Sequence, residues 1–241
     1  MKQNYSKPKA PIPVPPAAKN IHQDIVNVLI ALLDSSNTDP LDSHFRNSFT
    51  TFLSLFEDYQ KAIIASSRHT KTCTKGCAWC CNHWVEDVNS FEAQIIAEYI
   101  RNNLSHKMDE IIHKCKEDLE VLKDLDRKVN RKLELLQFPT GLDSVNLLLS
   151  SFYQLERPCP LLNEDGSCSV YLVRPLTCRI YMSFSDPVRC SPNNINDGEV
   201  VTYLMDLEEY SNHLLDELHF RFCRHDGDTG LRSVLVKYLE M

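Results

Sequence analysis

Four cysteines fall within nine residues, Cys73-Thr-Lys-Gly-Cys77-Ala-Trp-Cys80-Cys81, and this run constrains the chain more than any other feature of it. Spacings of two or three residues let one turn aim successive sulfurs at a common point, with backbone N–H groups facing them. Gly76, just ahead of Cys77, permits a backbone conformation that a β-carbon would penalise. Cys80 and Cys81 are adjacent, and neighbouring side chains tend to point apart. One of the two is therefore expected to ligate a different atom or to remain a reactive thiol.

A second group follows at wider spacing. Cys159, Cys168 and Cys178 are separated by eight and nine residues, and eleven more separate Cys178 from Cys190. Asn163-Glu164-Asp165-Gly166 is a turn signal that folds Cys159 back towards Cys168, and Val170 to Arg174 predicts a short helical turn before Pro175. Proline, cysteine, arginine and turn residues dominate 156–198, which is too long for an ordinary loop, so something must organise it.

Ten cysteines need a reason. The N-terminus is basic but Pro8, Pro11, Pro13, Pro15 and Pro16 interrupt it, and it lacks the apolar core of a signal peptide. The expected compartment is the cytoplasm, where thiols stay reduced, which disfavours a disulfide framework. Clustering disfavours the cysteines as small buried hydrophobes. Metal ligation by Cys73, Cys77, Cys80, Cys81, Cys159, Cys168, Cys178 and Cys190 is the reading that remains. All-thiolate sites exclude hard cations and suit zinc and iron–sulfur centres alike. Zinc usually takes compact pairs, whereas here one compact quartet faces widely spaced partners, which points to an iron–sulfur cluster, 4Fe–4S first, with zinc or mononuclear iron as the alternative.

Four thiolates around a dipositive core leave a net negative charge that is costly to bury. Arg157, Arg174, Arg179 and Arg189 crowd into the same segment of an otherwise acidic chain. Arg174 and Arg179, flanking Pro175 and Cys178, are expected to hydrogen-bond the centre or an anionic ligand beside it, whereas Arg157 and Arg189 also suit solvated surface. His83 fits a supporting role better than ligation. Trp79 and Trp84 are expected to shield the sulfurs, and Tyr171 and Tyr181 to cover them. Cys115 and Cys223 lie among apolar neighbours and read as core.

The rest of the chain is helical by periodicity, and the fold class is mostly α, a helical bundle carrying an irregular cysteine-rich segment. Residues 1–18 read as a proline-rich basic tail, either solvated or a docking peptide, and 19–241 as one domain with its motifs at 73–81 and 159–190. Helices are predicted from Ile21, from near Leu41 with a Phe45–Phe49–Phe52–Phe56 core stripe, and after an Asn89-Ser90 cap. Further helices are predicted over 106–137 (stopped by Phe138-Pro139-Thr140-Gly141), from Asp143 to Leu155, from Glu199 to Phe222, and from Thr229 to Leu239. Residues 1–20 carry four lysines and no acid, so the remainder is more acidic than the formal charge of −7. Such a body is a poor surface for nucleic acid. The best apolar run, Ile25 to Leu33, is far short of the roughly 20 residues needed to span a bilayer.

The motifs CxxxCxxCC at 73–81 and CPLL…GxC…Y…RPLTCR at 159–179, in that order, closely resemble the cysteine-cluster family of zinc- or iron-chelating domains, and the SFEAQIIAEYI stretch is similar as well. The likeness covers about residues 70–190. It implies a metal-chelating role for Cys73, Cys77, Cys80, Cys81, Cys159, Cys168 and Cys178, with Cys190 fitting less surely. Similar cysteine patterns occur in flagellin lysine N-methylase, a longer enzyme associated with an iron–sulfur cluster and S-adenosylmethionine. Three readings stay open: an iron–sulfur carrier, sensor or maturation factor; a methyltransferase-like enzyme using S-adenosylmethionine beside the cluster; and a zinc-stapled interaction module. The partner or substrate is expected to be a protein, with no nucleic acid and no membrane.

Overall fold

In the computed structural model, the described residues are 14–36, 39–67, 70–74, 76–136, 142–194, 202–223 and 229–241. Among them the chain runs α1 (Pro16–Asp34), α2 (Ser43–Ser66), α3 (Ser90–Asn103), α4 (Met108–Leu135), α5 (Leu142–Tyr153), α6 (Thr177–Ile180), β1 (Tyr181–Ser183), β2 (Thr202–Leu204), α7 (Glu209–Phe222) and α8 (Leu231–Leu239). The fold is mostly α. None of these helices is long and apolar enough to cross a membrane.

Local chemistry explains most boundaries. Pro16 opens α1 ahead of the predicted Ile21, because a proline in the first turn has no N–H to leave unpaired, and Ala18 is already buried. Residues 1–13 of the expected tail lie outside the described residues, as does the 138–141 stop signal. Asp42 caps α2 by accepting the His44 N–H at 2.8 Å. At α3 the expected cap is present: Glu92 reaches back to accept the Asn89 N–H at 3.1 Å.

Two hydrophobic cores result. Phe45, Phe49, Phe52 and Phe56 of α2 meet Ile25 and Leu29 of α1, Leu218 and Phe222 of α7, and Phe91 of α3. The Phe45 and Phe222 rings stand edge to face at 5.0 Å, and Phe49 and Phe91 at 5.3 Å. Burying each such ring is worth about 2–3 kcal/mol. The opposite side of α3, with Ala93, Ile96, Ala97 and Ile100, packs on Ile111 and Cys115 of α4 and on Leu231, Val234 and Leu235 of α8. Buried on both sides, α3 separates the two cores. Cys115 is core as predicted, but Cys223, expected in the core, is exposed at the end of α7.

The irregular segment lies over both cores, Leu176 and Met182 joining the first and Leu161 and Val170 the second. It contains a strand that helical periodicity does not predict. β1 pairs antiparallel with β2, Tyr181 opposite Leu204 and Ser183 opposite Thr202. Thr202-Tyr203-Leu204 was expected to open a helix at Glu199. Instead, β-branched and aromatic residues extend to make the ladder, and α7 starts only at Glu209. Buried Gln60 of α2 donates to the carbonyls of Arg179 (3.1 Å) and Met205 (3.0 Å), which fixes the ribbon to the first core.

Candidate metal centre

The first motif leaves α2 and docks on β1. The Thr72 N–H donates to the Ser183 carbonyl at 3.0 Å, and the Ser183 N–H donates to the Cys73 sulfur at 3.1 Å. Gly76, at φ 89°, turns the chain so that the Cys77 N–H reaches the Thr74 carbonyl at 3.0 Å. Cys80 and Cys81 sit in a 3₁₀ turn, Trp79–Asn82, that packs on a second such turn, Pro187–Cys190. The Tyr153 hydroxyl holds that second turn by donating to the Cys190 carbonyl.

The second motif folds as its turn residues demand. Asn163 and Ser167 close a hairpin (N–H to carbonyl, 2.8 Å) that sets Leu162 opposite Cys168, and Gly166 adopts φ 76°. The two motifs then meet through the backbone. The Cys159 N–H donates to the Cys81 carbonyl at 2.7 Å, and a β-carbon built on Gly166 would lie 2.9 Å from the Gly76 carbonyl oxygen. Gly166→Ala is accordingly expected to cost about 1–3 kcal/mol in a urea melt, since it combines a left-handed backbone with a collision against main chain.

Electrostatics sort the eight sulfurs. Burial pushes the Cys77 thiol up, and the charges of Cys73, Cys80 and Cys190 add to it. Cys190 is raised by burial and by Cys73 and Cys80. Cys178 is raised by burial, then by Cys159, Cys80 and Cys168, and burial lifts Cys159 to about 11. The hydrogen bond from Cys81, helped by Arg174, pulls Cys80 down to about 7, and Cys81 rises in consequence. An open cleft of about 590 Å³ is lined by Cys77, Trp79, Leu162 and Pro187.

The two arginines expected at the centre differ. Arg179, 3% exposed, is consumed by the chain itself: Nε donates to the Arg174 carbonyl, Nη1 to Glu57 at 3.0 Å, and Nη2 to the carbonyls of Tyr171 and Leu172. Arg174 lies over the Tyr171 ring at 4.5 Å, its charge lowers Cys80, Cys168 and Cys178, and its buried Nε has no hydrogen-bond partner. His83 stacks face to face on Tyr153, ring centres 3.7 Å apart, and Trp84 is buried against Phe152. Tyr181 is exposed.

A buried charge network beneath Cys159 lies outside the motifs. Asp118 of α4 accepts from Arg232 of α8 at 2.6 Å and from Arg157. Arg232, fully buried, lies 5.1 Å from both the Trp84 and Phe152 rings, donates to the His83 carbonyl at 3.3 Å, and keeps Nη2 unpartnered. Its charge opposes the burial of Cys159. One sign of this network was visible in the sequence. Asp118 occupies an apolar position of the α4 stripe, three and four residues from its neighbours Cys115 and Leu122.

The donor set fits a soft or borderline metal: eight reduced motif thiols and, against them, a guanidinium with a buried N–H to give. As the side chains stand, no three His, Cys, Asp or Glu among the described residues are arranged to hold an ion. In thiolate sites the metal itself completes the geometry, because binding and local folding are one step.

The model of the CxxCxxCC family, described as "Putative zinc- or iron-chelating domain", matches residues 72–198, more than half of the chain. The protein belongs to this family. Between Cys73 and Cys77 it carries one residue more than the family's name spells out, in the turn that Gly76 makes. No curated protein and no solved structure gives a significant match.

Proposed function

We propose that this protein binds metal as an iron–sulfur protein, holding a 4Fe–4S cluster through its motif cysteines in a carrier, sensor or maturation role. What supports the reading is the backbone meeting of the two motifs: the Cys159 N–H donates to the Cys81 carbonyl at 2.7 Å, the hairpin that follows carries Cys168, the next helix, α6, carries Cys178, and the buried Arg174 Nε has no hydrogen-bond partner. Four sulfurs match the ligand count of such a cluster, and their wide spacing in sequence is unlike the compact pairs of zinc knuckles. Arg174 would supply an N–H to sulfur and offset part of the negative charge that four thiolates bring. Arg179 supports the site by shaping the loop from Tyr171 to Cys178. A bound cluster would supply electron storage or transferable iron and sulfide, and the half-buried sulfurs suit exchange more than a sealed redox core.

Anaerobic purification tests this. Iron and acid-labile sulfide are expected in equal amounts, about four of each per chain, and Cys178→Ser should remove most of both. Cys115→Ser, in the second core, should leave them unchanged. Zinc without sulfide would overturn the cluster and leave plain chelation standing.

A further inference from the structure

Ile111 and Cys115 of α4 lie in the second core and Asp118 meets Arg232 of α8, but α4 runs on beyond them to Leu135, beside α5. Arg157, just past α5, pairs with Asp118, so α5 returns antiparallel along this second half of α4. Residues 119–135 make a helix of about 25 Å. Val129, Leu133 and Phe152 of the α4–α5 hairpin are buried. Leu122 and Leu125 of α4, with Leu147, Leu148 and Leu149 of α5, stay partly exposed and belong to neither core. Near its tip Leu135 is 77% exposed, and Leu136 and Val145 are exposed as well. Single apolar residues on a surface need no reason, but a run of them along one hairpin marks a surface for docking.

Charge identifies the occupant. Outside the buried Asp118 network, residues 117–126 of α4 carry Glu117, Glu120, Asp124 and Asp126 against Lys123 alone, and residues 127–134 carry Arg127, Lys128, Arg131 and Lys132 against Glu134 alone. Within one copy some of these pair along the helix, Lys123 with Glu120 and Lys128 with Asp124, but exposed pairs of this kind are weak and exchange partners readily. We infer that the α4–α5 hairpin is a dimer surface, and that its partner is the same hairpin of a second copy laid antiparallel across it, the two forming a four-helix bundle. Two-fold pairing brings the acidic half of each α4 to the basic half of the other. The leucines that neither core takes up become the interior of the bundle. A partner of one sign would meet like charge along half of the helix. No motif cysteine lies on the hairpin, so the dimer is expected with or without metal.

Sedimentation velocity tests this on the full-length protein, kept anaerobic and reduced so that the exposed Cys80 and Cys223 cannot cross-link copies. The 27.8 kDa chain should sediment as a dimer whose share rises with concentration. Glu117→Lys/Glu120→Lys/Asp124→Lys gives both halves of α4 a net positive charge, and Arg127→Glu/Lys128→Glu/Arg131→Glu gives both a net negative one. Each variant alone should dimerise about tenfold less tightly or worse, and the two mixed should form a one-to-one heterodimer, since each then meets the opposite sign along its length. A parent that stays monomeric, or dimers indifferent to both reversals, would overturn the proposal. So would failure of the mixture to associate while both variants keep their helical circular dichroism. Should either variant misfold, carbodiimide coupling of isotopically light and heavy parent copies decides. Cross-links between copies from Glu117 or Glu120 to Lys128 or Lys132 are expected, and their absence would overturn the antiparallel pairing.

Discussion

Replacing Asp118 with asparagine is expected to lower stability by about 3–5 kcal/mol, because it leaves the fully buried Arg232 without its counter-charge. Arg157, about one third exposed, can turn to water, but Arg232 is enclosed by Trp84, Phe152 and α4 and cannot. A double variant, Asp118→Leu with Arg232→Met, should recover much of the loss, since neutral side chains of similar size often match a buried ion pair. Urea denaturation followed by circular dichroism measures both. A loss under about 1 kcal/mol in the single variant would mean that the pair is effectively solvated, as surface pairs are, and that α8 is held by its apolar contacts alone. A cation moved away from Cys159 should also weaken metal retention in Asp118→Asn.

The second large effect is expected at Arg179. Arg179→Met strips donors from the carbonyls of Tyr171, Leu172 and Arg174 and leaves Glu57 without its partner from α6, for a loss of about 2–4 kcal/mol. Metal content should fall with it, because those carbonyls shape the loop between Cys168 and Cys178. Lysine should not rescue, as a single ammonium cannot reproduce the planar fork that serves four acceptors. Arg174→Met makes the contrast. Its Nε has no protein partner, so the metal-free protein should melt almost unchanged while metal is held less tightly. If Arg179→Met kept its stability but lost metal, Arg179 would touch the centre directly and its assignment as a loop brace would be wrong.

Much of this was legible in the residues. The helical period gave the bundle, the phenylalanine stripe of α2 was core, and the Asn89-Ser90 cap could be read from its letters, though the return of Glu92 to the Asn89 N–H appears only in the structure. The hairpin at 163–167 followed from its turn residues. What could not be read depended on pairing across long separations. The ribbon of β1 and β2 has three residues on each strand, too short for a period to register, and it needs Gln60, more than a hundred residues away, to satisfy its ends. The place of Asp118 in an apolar stripe hints at burial, but its partner Arg232, more than a hundred residues away on α8, looks like an ordinary surface charge until the two helices meet. The place of Cys73 depends on its meeting Ser183, and spacing alone cannot tell which of several distant partners a thiol finds.

Val173, between the second motif's hairpin and α6, packs against both hydrophobic cores at once. The sulfur-bearing strip is thus a clasp laid across the two halves of the molecule. Whatever tightens it draws the α1–α2–α7 layer and the α4–α8 layer towards a common reference, and whatever loosens it frees them to shift about α3. Gain or loss of an ion at the surface would in this way be felt as a change in mechanical coupling deep inside, without any helix having to unwind.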